Sequence, residues 1–85
     1  MTPPIEDAMS GTSEEWADRS KRYLKAELKR AGVGYAELAR RLNEKGLSET
    51  EGSITVKINR GAFPAWFLLV TLEAIGCKQL RLEDV

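Results

Sequence analysis

The chain has 85 residues, with thirteen Lys or Arg, thirteen Asp or Glu, no histidine and a single cysteine, Cys77. That length fits one domain with a modest core, and a lone cysteine excludes an internal disulfide. Without histidine, the usual zinc sites and histidine-based triads are excluded as well; a carboxylate-only active site stays open but nothing in the chain marks one, so a binding module without metal or cofactor is expected ahead of an enzyme.

The formal net charge of zero conceals an asymmetry. Residues 1–18 carry five acids and no base, residues 19–45 nine bases and three acids, and residues 46–85 four bases and five acids. A basic middle between acidic ends points toward a polyanionic partner; on charge alone, a solvated helix surface is the simpler reading. The longest apolar run, Ala65–Val70, is too short to cross a bilayer. The N-terminus has neither a basic n-region nor an apolar h-region. A cytoplasmic location without a membrane partner is therefore expected.

Residues 1–11, with two prolines, a glycine and few large apolar groups, read as a disordered tail ahead of one domain over residues 12–85. Thr12 and Glu15 have capping-box spacing and predict the start of a first helix that runs to about Ala31. Trp16, Tyr23, Leu24, Leu28 and Ala31 form its apolar face, and Lys21, Lys25 and Lys29 lie on another. Gly32-Val33-Gly34 breaks the helix. A second helix is predicted from Tyr35 to about Lys45, with Tyr35, Leu38, Ala39 and Leu42 at i, i+3, i+4, i+7 and Gly46 as its stop.

Ser48 and Glu51 again have capping-box spacing and predict a third helix over about 49–60. Ser53–Ile58 alternates and is rich in β-branched residues, which is also a strand signature. Helix is preferred, because Ile54 and Ile58 are four apart and a lone strand would lack a partner. After a turn at Gly61–Pro64, a fourth helix is predicted from Pro64 or Ala65 to Ile75, apolar on nearly every face. Trp66 and Phe67 are adjacent, so they cannot both point inward. The Leu80 and Leu82 segment is expected to fold back on the body.

These elements make an all-α fold, a compact bundle of four to five helices. Gly32-Val33-Gly34-Tyr35-Ala36-Glu37-Leu38-Ala39-Arg40-Arg41-Leu42 resembles the first half of the helix-turn-helix of the lambda-repressor/Cro (Xre-like) superfamily. Ile58-Asn59-Arg60-Gly61 with Pro64 resembles the end of that family's recognition helix, and Trp66–Gly76 its next helix. The resemblance covers about half of the chain and also fits small bacterial domains of uncharacterised function. It implies a lambda-repressor-like core and a small DNA-binding transcriptional regulator whose third helix lies in the major groove of double-stranded DNA.

Carried over residue by residue, Tyr35 faces a phosphate, Ser53 and Lys57 reach bases or backbone, Asn59 and Arg60 lie nearer the backbone, and Arg40 and Arg41 add phosphate contacts. The plainer reading makes Tyr35 a half-buried helix-start residue and pairs Arg40 and Arg41 with Glu37 and Glu44. The chain also departs from the family pattern. The connection from Leu42 to Ile54 is longer than the family's tight turn, Glu49 and Glu51 put carboxylates at the start of the reading helix, and Gly52 and Val56 stand where polar readers are common. Val56 can touch a thymine methyl, whereas Gly52 reads nothing. The alternative function is a protein-interaction module of the same fold, and helix 4, through Trp66 and Phe67, is the expected surface for a homodimer or a protein partner.

Overall fold

The computed structural model describes the backbone of residues 3–85 and the side chains of residues 12–85. Among the described residues it contains four α-helices and no strand: α1 (Pro3–Ala31), α2 (Tyr35–Glu44), α3 (Glu51–Arg60) and α4 (Ala65–Ala74), followed by a 3₁₀ turn at Leu82–Asp84. The tail expected over residues 1–11 lies outside the residues described in full. Thr12 lies within α1 and is not its cap. No described helix is long and apolar enough to cross a membrane.

α2 and α3 bury the leucine and isoleucine pairs their spacing predicts, and α1 and α4 bury part of their apolar surface. Tyr23, Leu24 and Leu28 of α1, Leu38, Ala39 and Leu42 of α2, Ile54 and Ile58 of α3, and Phe67 and Leu72 of α4 form one core together with Val33. Ala31 is exposed and Trp16 is 44% exposed, so the buried face of α1 is shorter than its apolar pattern. The alternating segment Ser53–Ile58 is helical, with Ile54 and Ile58 wholly buried one turn apart. α3 packs on both α1 and α2, and α4 packs on α2.

Three helices end in the same way. The residue after the terminal glycine donates its N–H back across the last turn: Val33 to Leu28 O, Leu47 to Leu42 O, and Cys77 to Leu72 O. This satisfies carbonyls that the helix end would orphan and folds an apolar residue over the last turn. At the far end of α4, the Arg41 guanidinium donates to the Ala74 carbonyl at 3.1 Å, and Lys45 pairs with Glu73. A cation at a helix C-terminus is favoured by the helix dipole.

The C-terminal segment returns to α1, and Val85 anchors it more than the leucines do. Arg19 lies over the Trp16 ring, 4.1 Å from its centroid, and donates to the Val85 carbonyl at 2.9 Å. Leu82 is 72% exposed, and Leu80 is also exposed. Of the adjacent aromatics on α4, Phe67 is wholly buried and Trp66 is 50% exposed. Phe67 therefore belongs to the core and cannot serve a partner surface.

Gly61 meets two requirements at once. It closes α3 in the left-handed region at φ 63°, and a Cβ there would lie 2.1 Å from the Ala17 carbonyl oxygen. Gly61→Ala is expected to cost about 2 kcal/mol or more, the conformational penalty alone being ~1–2 kcal/mol; urea unfolding measures it. Thr71 is also wholly buried, and its hydroxyl has no hydrogen-bond partner among the described residues. Thr71→Val removes this unpaired group with little change of shape, so its melting temperature should equal or exceed that of the native chain, by up to roughly 1 kcal/mol in stability.

Candidate functional site

The site is built on the connection between α2 and α3. α2 ends at Glu44, and the chain needs six residues, 45–50, Gly46 among them, to reach α3. Such a connection stays ordered only if its backbone polar groups find partners. Asn43 provides them: its side-chain amide donates to the Glu49 carbonyl at 3.0 Å, and its amide oxygen accepts the Glu49 N–H at 2.8 Å. Both backbone groups of one residue are thus held by a single side chain.

The cap of α3 is Thr50, two residues later than the spacing of Ser48 and Glu51 predicts. The Ser53 N–H donates to Thr50 Oγ1 at 3.0 Å, and the Thr50 N–H donates to Ser53 Oγ at 2.9 Å. The reciprocal box is therefore Thr50 with Ser53. Glu49 explains the shift. Its side chain turns inward, leaving the residue only 7% exposed, and its carboxylate accepts from Ser53 Oγ at 2.7 Å and from Lys57 Nζ at 2.6 Å. Ser53 and Lys57 are four apart on one face of α3, and Glu49, just before the Thr50 cap, meets them there. Burial pushes the Glu49 carboxyl up, but the hydrogen bonds from Lys57 and Ser53 and the Lys57 charge together outweigh it, so the group lies below its ordinary value. The Lys57 ammonium also lies 5.2 Å from the Phe67 ring centroid and 5.7 Å from that of Trp66, joining α3 to α4.

The seven predicted contact residues fall into three groups. Ser53 and Lys57 are brought together by Glu49 and are occupied within the fold. Arg40 and Arg41 converge on Glu37: Arg40 donates to both of its oxygens at 3.0 and 2.7 Å and to Glu44 at 2.7 Å, and Arg41 donates to Glu37 at 2.9 Å. These two guanidiniums hold the Glu37 carboxyl down at about 2. Tyr35, in the first turn of α2, is half-buried against the core, and burial raises its phenol. Asn59 and Arg60 stand exposed at the end of α3, and Arg60 has no ion pair among the described residues. The Glu49 and Glu37 clusters share no hydrogen bond.

The outward stripe of α3 is made of other residues, Asn59 excepted. Gly52, Thr55, Val56 and Asn59 follow i, i+3, i+4, i+7, opposite the buried Ile54 and Ile58. Gly52, Val56 and Asn59 are exposed, and Thr55 is half-buried. Glu49 and Asn43 are the functional residues that motif reading misses. The four-residue spacing of Glu49, Ser53 and Lys57 is the signal that could have revealed the first of them.

Lys57→Met leaves a buried carboxylate without its cation and should destabilise the fold on the order of 2 kcal/mol at neutral pH, while adding Glu49→Gln should recover part of this loss. Because the Glu49 carboxyl is depressed in the folded state, its contribution is present above the unfolded carboxylate value of ~4.3 and is lost as pH falls through the lower folded value. Chemical denaturation between pH 7 and pH 3 should therefore show native stability falling on acidification, with a shallower fall for Glu49→Gln.

Comparison with curated proteins and with solved structures finds no match for the chain. A family match does exist, and it runs from the exposed Trp16 through the site to Leu80. Residues 16–80 match the family described as "Domain of unknown function (DUF6471)", and the chain belongs to that family.

Proposed function

We propose that the chain is a small DNA-binding domain of the helix-turn-helix kind, serving transcriptional regulation, with α2 toward the phosphate backbone and α3 along the major groove. One observation carries this reading. The Glu49 carboxylate, which the sequence puts at the entry to α3, is turned into the protein and neutralised by Lys57. The outer stripe of α3 is left small and uncharged, and it ends beside Arg60, which has no ion pair among the described residues. A helix with such a stripe can approach base edges closely, without the phosphate repulsion that an exposed carboxylate brings. Glu51 alone remains exposed at the N-terminal end.

The roles of the basic and polar residues follow from this placement. Asn59 and Arg60 are the residues we place at the backbone. Arg40 reaches phosphate by giving up its exposed pairs with Glu37 and Glu44. Arg41, held by Glu37 and by the Ala74 carbonyl, positions α2 against α4. Ser53 and Lys57 support α3 from within. With Arg60 the one cation of α3 that has no ion pair among the described residues, one domain binds weakly, so two copies on adjacent half-sites are the expected functional unit.

A second reading, a protein-interaction module of the same shape, is favoured by one feature of α4. Trp66 and Leu69 stand one turn apart and are 50% and 61% exposed. Exposed apolar groups of this size often mark a partner surface.

Fluorescence anisotropy of a labelled generic duplex, read at low and moderate salt, separates the two readings. DNA binding predicts an affinity that falls linearly with salt on logarithmic axes. Arg60→Ala should weaken it and reduce the slope by ~0.9, the share of a single phosphate neutralised by one cation. Trp66→Ala should leave both unchanged. Absence of binding at the lowest salt overturns the DNA reading and leaves the α4 surface as the alternative.

A further inference from the structure

We propose that α3 recognises thymine through its C5 methyl group, with Val56 as the specificity-determining side chain. This inference rests on the DNA-binding reading above and concerns the chemistry of the same helix face.

Hydrogen-bonding readers are scarce in the first two turns of α3. Ser53 and Lys57, both half-buried, are bound to the Glu49 carboxylate. The Thr50 hydroxyl accepts within the capping box. The Thr55 hydroxyl donates to the Glu51 carbonyl at 2.8 Å, committing it to its own helix. What remains in the middle of the outer stripe is the isopropyl group of Val56, 49% exposed.

Gly52 lies one turn before Val56 on the same stripe. A Cβ added there would meet only the Thr50 hydroxyl oxygen, at 3.9 Å, so the space above it is open. The outer surface of α3 thus has a bare turn followed by an apolar projection. In the major groove, three of the four bases offer only hydrogen-bonding groups, whereas thymine adds a methyl. An apolar projection beside an open turn is complementary to that group.

Replacing thymine by deoxyuridine removes only the C5 methyl and keeps the pairing, so it tests this contact alone. The full-length chain is used to enrich sites from a randomised duplex library, and the enriched duplex is compared with its deoxyuridine-substituted twin. The expected result is a fixed thymine in the enriched sites and a twin that binds about fourfold more weakly, the effect of one buried methyl. Val56→Ala, a change at an exposed position whose folding circular dichroism verifies, should bring the ratio of the two affinities close to one and leave the salt slope unchanged. Equal affinity of the native chain for both twins, or enriched sites without thymine, overturns the inference. Generic binding with no enriched sequence overturns the inference and spares the DNA-binding reading; failure to bind any duplex overturns both.

Discussion

The carboxylate of Glu49 is the group on which the geometry of α3 depends. It is taken out of water, which is unfavourable, and it is stable there because Lys57 and Ser53 reach it from one face of the helix while Asn43 holds its backbone from α2. A buried ion pair often adds little net stability compared with an apolar pair. Its effect here is geometric: a six-residue connection, long enough to allow several arrangements of two short helices, is held to one. The position of the Thr50 cap follows from it. Once Glu49 points inward, the next residue is the first whose hydroxyl can meet the free N–H groups at the start of α3.

The same lysine connects this junction to the core. Its ammonium lies near the Phe67 ring, and Phe67 is wholly buried. On the other side, α3 ends at Gly61, where its backbone meets that of α1 at Ala17 more closely than any side chain would allow. α3 is therefore fixed at its start by polar contacts and at its end by steric fit. Its middle is held by the purely apolar contacts of Ile54 and Ile58. This leaves a single helical stripe facing solvent, and its chemistry is what the proposed DNA-binding role depends on.

The economy of charge in this chain bears on that role. The basic block over residues 19–45 has nine cations, but Arg22, Arg30, Arg40 and Arg41 all face carboxylates of their own helix. The pairs of Arg22 and Arg30 are exposed, weak and readily exchanged with solvent or a phosphate, whereas Arg40 and Arg41 share Glu37 in one cluster. A polyanion would thus meet a surface on which much of the positive charge is already paired, with Lys25 and Lys29 exposed and in no ion pair among the described residues. Recognition by shape and apolar contact then matters more than long-range attraction, and a half-exposed valine on the outer helix face fits that balance.

The local pattern of the chain was enough to establish four helical segments, their glycine stops and the buried pairs of α2 and α3, because each depends on spacing within one turn or two. Leu38 with Leu42 and Ile54 with Ile58 are examples, as is the pairing of Arg40 and Arg41 with Glu37. The alternation in Ser53–Ile58 is compatible with a strand until its apolar pair finds neighbours on α1 and α2. Only the tertiary structure decided which of Trp66 and Phe67 turns inward, that Val85 rather than Leu82 anchors the C-terminal segment, and that Glu49 is buried. Burial of a carboxylate depends on a cation two helical turns away and an amide on another helix, and whether these converge is a property of how the helices pack.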